Sequence, residues 1–287
     1  MKTFDKIAIV GVGLIGGSIG LAVKKRKLAG SVVGIFRKNS TLKKALKRGA
    51  ITAATMDLAE GVKGADLIII ASPVSSIPCL AKELLKHVKD GSVITDVGST
   101  KAWITKEIAG ALKRRKDVFF IGSHPMAGSE RAGVEFARQD LLEGSPCIVT
   151  KDKFTDKIAL RKVMAFWKSL GAKVNVMTPD EHDRSVSLVS HLPHLVAFGL
   201  ALAVPDRDLK YAAEGFKDTT RVASSDPELW ADILLSNRVH ILKAAASFGA
   251  TYKKLVCSLS KNDYAGIVRL IKAAKSKRDR CIHAKTR

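Results

Sequence analysis

The segment Lys6-Ile-Ala-Ile-Val-Gly-Val-Gly-Leu-Ile-Gly16 constrains the fold of this 287-residue chain more than any other. An apolar run (6–10) reads as a strand, and an amphipathic stretch (14–26) reads as a helix. Three glycines in the spacing G-x-G-x-x-G join them. Gly11 permits the tight turn, Gly13 lets the backbone approach a pyrophosphate, and Gly16 allows close packing of helix on strand. The helix N-terminus then faces the anion. A strand–turn–helix around this spacing implies a dinucleotide site, with Leu14 and Ile15 between the glycines as part of the cofactor set. Ser72-Pro73, after the apolar run 66–71, joins that set.

The second strand, 31–36, bears on which dinucleotide. A carboxylate for the ribose 2′-hydroxyl is the usual ending of that strand. Here the chain reads Phe36-Arg37-Lys38, whose two cations suit a 2′-phosphate. NADP is therefore favoured over NAD, and the competing reading makes Arg37 and Lys38 ordinary surface cations.

Beyond this point strands and helices alternate. Apolar runs at 66–71, 92–96, 118–122, 147–150 and 173–177 continue the series, with amphipathic segments between them. The run 66–71 is apolar on both faces, as a central parallel strand must be. The expected first domain is a doubly wound α/β sheet of the Rossmann type over residues 1–178. Thr178-Pro-Asp-Glu181 then announces a helix with a capping box and Pro at its first position. No strand-like alternation follows, so residues 179–287 read as an all-helical domain. Asp226-Pro-Glu-Leu starts a helical run continuing to about 259, Ser260 caps a last helix, and the tail after 274 frays.

Composition narrows the class. The sequence carries 49 Lys and Arg against 27 Asp and Glu, a formal charge of +22. These cations are spread through the helices without aromatic interleaving or a helix-turn-helix pattern, so nucleic acid is not the expected partner. No stretch approaches the roughly 20 apolar residues that span a bilayer, and 65–71 and 195–204 read as a buried strand and a buried helix. No membrane association is expected. The chain enters its first strand within a few residues, leaving no room for a signal peptide, and Cys79, Cys147, Cys257 and Cys281 form no C-x-x-C. The expected location is the cytoplasm.

Three further segments are richer in functional side chains than structural punctuation requires: Asp96-Val-Gly-Ser-Thr-Lys101, Ser123-His-Pro-Met-Ala-Gly-Ser-Glu130, and a helical-domain set. The last comprises His182-Asp183, His191-Leu-Pro-His194, Gly215-Phe-Lys-Asp-Thr-Thr-Arg221 and Ser225-Asp-Pro-Glu-Leu-Trp230. The first two follow strands, where ligands of open α/β sheets bind. His191-x-x-His194 has metal-ligand spacing, but no third ligand stands at suitable spacing and Pro193 disturbs the helix, so no metal is expected. Trp230 reads as packing.

Together with GVGLIGGS, these segments occur in the order, and with the composition, of the prephenate/arogenate dehydrogenase family, which the chain resembles from residue 7 to about 240. The resemblance implies a nucleotide-binding domain, a helical dimerisation domain forming a homodimer, and a cleft for a small-molecule substrate. The implied activity is oxidative decarboxylation of prephenate or arogenate on the route to tyrosine, with hydride transfer to NAD(P)+. It implies that His124 accepts the substrate hydroxyl proton and that Ser99 helps to hold His124 and that hydroxyl. Arg221 grips the ring carboxylate and His194 contacts substrate. His182 supports the site, while Glu130 pairs with Arg221 or gates the cleft. Two alternatives stand beside this reading: another β-hydroxyacid-type dehydrogenase, many of which use a helical-domain lysine, and a cofactor-sensing protein without catalysis.

Overall fold

Strand β1 (Phe4–Val10) lies at the centre of a parallel sheet because its residues 7–10 are apolar on both faces and fully enclosed. The computed structural model describes residues 3–128, 131 and 133–283. From β1 the chain winds through α1 (Leu14–Lys25), β2 (Ala29–Ile35), α2 (Asn39–Lys47), β3 (Ala53–Thr55) and α3 (Leu58–Val62). It continues through β4 (Leu67–Ile70), α4 (Ile77–Leu84), β5 (Val93–Asp96), α5 (Ala102–Leu112) and β6 (Phe119–Ile121). The sheet order is β3-β2-β1-β4-β5-β6, with every pairing parallel. The order reverses between β1 and β4, so a crevice opens beyond their C-terminal ends, where such sheets bind ligands. Two apolar clusters cover the two faces, one including Ile7, Ile9, Phe166 and Trp167, the other Ile68, Ile70, Ile94 and Ile104.

The doubly wound expectation holds, with one revision. The runs 147–150 and 173–177, expected to continue a single sheet, instead form a second one as β8 (Pro146–Thr150) and β9 (Lys173–Met177), with β7 (Ser123–Pro125), a strand the sequence did not announce, at its edge and α6 (Lys157–Ser169) before β9. β7 runs antiparallel to β8, and β8 parallel to β9. Gly122 is the switch between the sheets: a Cβ there would lie 2.7 Å from Thr150 Oγ1. Strand β3 is too short to stand out as an apolar run.

After Met177 the chain is helical: α7 (Pro179–Val186), a π-helical turn (Ser187–His191), α8 (Leu192–Ala203), α9 (Glu214–Thr220), α10 (Pro227–Ser236), α11 (Arg238–Ser260) and α12 (Tyr264–His283). The capping box at Thr178 forms as expected, Glu181 reaching back to the Thr178 N–H at 2.8 Å. Pro193 supplies no N–H to the turn before it, and the helix accommodates this by widening into the π turn rather than by breaking. The continuous helix Pro179–Ala203 is therefore long and apolar enough, by length and composition alone, to cross a bilayer, contrary to the expectation from the sequence. Nor is 195–204 a buried helix: among those residues only Ala197 is buried, and Leu202 is 86% exposed.

Three smaller expectations also change. The run from 226 breaks at Asn237, which adopts a non-helical conformation at the end of α10. Ser260 ends α11, its hydroxyl bonding back to Cys257 O, and Asp263 takes the capping role by accepting from Gly266 N at 2.9 Å. α12 continues past 274 to His283. The chain divides into two compact units, 1–238 and 239–287. The strands end at 177 as expected, and by compactness α7 to α10 group with the sheets.

Candidate active site

Residues at the C-terminal ends of β1 and β4 build a cradle. Gly11 has φ +90°, and a Cβ on it would lie 2.4 Å from Ala71 O, so only glycine fits where the turn crosses the end of β4 beside Ser72. A Cβ on Gly16 would lie 2.1 Å from Gly11 O. Above Gly13 a Cβ would meet no atom within 4 Å. Gly13 begins α1 without a side-chain cap, leaving the first-turn N–H groups of a twelve-residue helix directed at that space. These features fit a pyrophosphate. Arg37 and Lys38 follow β2 with exposed side chains, at the position where a ribose substituent is read. The Ser76 hydroxyl closes on Ser72 Oγ at 3.0 Å, shaping the turn that contains Pro73.

At the C-terminal end of β5, the neighbour of β4, lies a buried polar network. Asp96, the last residue of β5, has no exposure and forms an ion pair with the equally enclosed Lys101 ammonium. Its carboxylate also accepts from Gly98 N at 2.9 Å and from Ser123 N at 3.1 Å. One side chain thus ties together the loop bearing Ser99 and the strand bearing His124. Burial draws the Lys101 ammonium below its ordinary value, opposed by Asp96 and Asp183.

His124 lies on β7, 8% exposed, with Nδ1 2.8 Å from His182 Nε2 on α7. His182 Nδ1 lies 2.7 Å from Asp183 Oδ1. Asp183 in turn accepts from the backbone N–H groups of Lys101 (2.7 Å) and Ala102 (2.9 Å), so it caps α5 from another helix. Burial pushes His124 well below the ordinary histidine range, and His182, Lys101 and His191 push it further. His182 is lowered as well, by burial first, against the pull of Asp183. Both imidazoles are neutral near pH 7. On β8, burial pushes the Cys147 thiol up, so it is no nucleophile.

A second group extends the site. His194 Nδ1 donates to Ser190 O at 2.9 Å, and its ring stacks on Trp230 with centroids 3.5 Å apart. Burial lowers its pKa, and the positive charge of Arg221 contributes. Arg221 is exposed in the short turn following α9. His191 is buried and lowered to about 4, chiefly by burial. The Asn237 amide donates to Asp183 O at 2.8 Å and lies 3.1 Å from His191 Nδ1.

Of the residues expected from sequence, the structure joins His124 to His182 and brings the charge of Arg221 to His194. Ser99 is half-buried on the loop after β5, with no hydrogen bond to His124 among the described residues. Glu130 lies outside the described residues. Among them, no group of three or more His, Cys, Asp or Glu side chains is placed to hold a metal. Sequence reading named Asp96, Lys101 and Asp183 only within its flagged segments, without a role, and passed over Asn237. The available signal was a charged pair inside one short motif, and an aspartate directly beside a flagged histidine.

Comparison with known proteins agrees with this geometry. Residues 19–176 match the family described as prephenate dehydrogenase, nucleotide-binding domain, and residues 178–273 match prephenate dehydrogenase, dimerization domain. The chain is 36% identical to prephenate dehydrogenase of Bacillus subtilis, over 96% of this chain and 76% of that protein. The structure of Aquifex aeolicus prephenate dehydrogenase in complex with hydroxyphenyl propionate and NAD+ superposes with a TM-score of 0.89 at 32% identity, covering 96% of this chain and 98% of that one. Synechocystis arogenate dehydrogenase superposes with a TM-score of 0.82 at 29% identity, covering 96% and 99%. The chain belongs to the prephenate dehydrogenase family.

Proposed function

We propose that this protein oxidises and decarboxylates prephenate or arogenate, producing 4-hydroxyphenylpyruvate or tyrosine. The observation that carries the reading is a neutral, nearly enclosed His124 held at the crevice of a dinucleotide cradle. A nicotinamide dinucleotide held in the glycine cradle would supply the acceptor for the hydride that leaves C4 of the substrate ring. The ring gains aromaticity as CO₂ leaves C1, so the protein has mainly to orient the substrate and take one proton. His124 takes that proton from the C4 hydroxyl, and Ser99 helps to hold the hydroxyl and the imidazole. Arg221 grips the ring carboxylate with its planar fork, and His194, braced on Trp230, contacts the substrate beside it. Glu130 is assigned to pair with Arg221 or to gate the cleft.

The glycine turn, Leu14, Ile15 and the Ser72-Pro73 turn hold the cofactor, and Arg37 with Lys38 favours NADP through its 2′-phosphate. Residues 179–287 serve as the substrate and dimerisation domain of a homodimer. Initial rates with prephenate and arogenate, each crossed with NAD+ and NADP+, test the whole reading. NADP+ is expected to give the higher kcat/KM, and Arg37→Asp to reverse that order. An unchanged preference in the variant would remove the 2′-phosphate argument, and no reduction with any pair would remove the activity.

A further inference from the structure

We infer that Asp183 is a positioning residue that fixes the tautomer of His124 through His182, leaving Nε2 of His124 as the bare, proton-accepting nitrogen. The inference rests on the proposal that His124 is the proton acceptor.

The argument runs along three contacts. The Asp183 carboxylate faces two backbone donors, Lys101 N at 2.7 Å and Ala102 N at 2.9 Å, and in that setting it is acceptor-only. The nitrogen 2.7 Å from the same Oδ1, His182 Nδ1, therefore carries the hydrogen. A neutral imidazole has one N–H, so His182 Nε2 is bare. That nitrogen lies 2.8 Å from His124 Nδ1, a separation that two lone pairs or two hydrogens will not share. His124 thus donates from Nδ1, and its lone pair is on Nε2. The charges around the pair do not reverse this order. Lys101 and Asp96, from the end of β5 and its loop, face each other as an ion pair; His191 on the π turn and Cys147 on β8 are held neutral by burial.

In the reaction the substrate O–H bond breaks, its electron pair stays on oxygen, and a new N–H bond forms at His124 Nε2. The imidazolium keeps its Nδ1 hydrogen bond to His182, so the proton arrives without rearrangement of the network. Asp183 touches neither substrate nor cofactor and acts only by orienting the two rings. The arrangement also explains why this carboxylate reaches across 82 residues to Lys101 N, where a local cap would have closed α5 equally well.

The test uses ¹⁵N-histidine-labelled full-length protein and long-range ¹H–¹⁵N correlation near pH 7.5, with His124 and His182 assigned by loss of signals in His124→Asn and His182→Gln. Both residues are expected in the Nδ1–H form, and an Nε2–H form of either would overturn the inference. Asp183→Ala is expected to mix the tautomers of both rings and to lower kcat by about a hundredfold, with KM for substrate within about threefold. Lost turnover with unchanged tautomers would reduce Asp183 to a helix cap and also overturn it. The measurement on unsubstituted protein does not depend on the variant folding. Full turnover in His124→Asn would instead sink the acceptor assignment, with the tautomers still as stated.

Discussion

His124 can serve as a base only while its imidazole is neutral, and its burial secures that across the physiological range. Asparagine keeps a polar side chain of similar reach but offers no basic lone pair. His124→Asn is therefore expected to lose at least about a hundredfold in kcat while cofactor affinity, read by fluorescence titration, is retained. Near-normal turnover would remove the acceptor role. His124, His182 and Arg221 stood out in the sequence because each falls in a short run of chemically capable side chains. What surrounds them did not. Asp183 reaches Lys101 N over 82 positions, and Asn237 reaches His191 over 46. A bond of that range leaves no periodicity or spacing in the chain, because both partners lie in segments patterned by their own helices.

The elements themselves were largely legible, because apolar runs alternating with amphipathic stretches encode them directly. The misreadings fall where a single residue redirects the chain: Gly122 passes it from one sheet to the other, and Asn237 divides what reads as one long helix. Helix α1 shows a related effect. Beyond the three glycines of the turn, Gly17 and Ser18 form a seat for residues 134–138. A Cβ on Gly17 would lie 2.9 Å from both Ala137 Cβ and Val134 Cγ2, and Ser18 Oγ accepts from Arg138 N at 2.9 Å. The same segment is tied to α2 by the Arg48 bond to Ala137 O and the exposed Lys44–Glu135 pair. Gly17→Val overpacks this seat, with an expected cost of about 1–3 kcal/mol and a fall in Tm of roughly 2–8 °C by calorimetry. An unchanged Tm would mean that the 134–138 segment moves aside without cost.

At the scale of the molecule, the second compact unit carries more apolar surface than a solvated pair of helices requires. On α11 Phe248, Tyr252, Leu255 and Leu259 are exposed at intervals of four, three and four residues, one stripe along the helix, and the rings of Phe248 and Tyr252 stack. That spacing is the seam of helices that pack on one another. Light scattering at micromolar concentration is expected to return the mass of two chains, and Leu255→Glu with Leu259→Glu the mass of one. A dimer surviving both charges would place the interface elsewhere. The order of the two kinds of structure was readable from the chain, whereas the three-residue strands β3 and β7 were not, because so short a run shows no alternation, and the compact units were not, because compactness depends on contacts rather than on element type.

The network around His124 has a consequence in time. The bonds that join β5, β7, α5, α7 and the end of α10 link segments distant in the chain, so local collapse does not make them. Contacts of such long loop closure form late. During synthesis, Asn237 must leave the ribosome before the buried carboxylate, amide and imidazoles all find their partners. The nascent chain can thus complete its glycine turn well before the polar network around His124 closes.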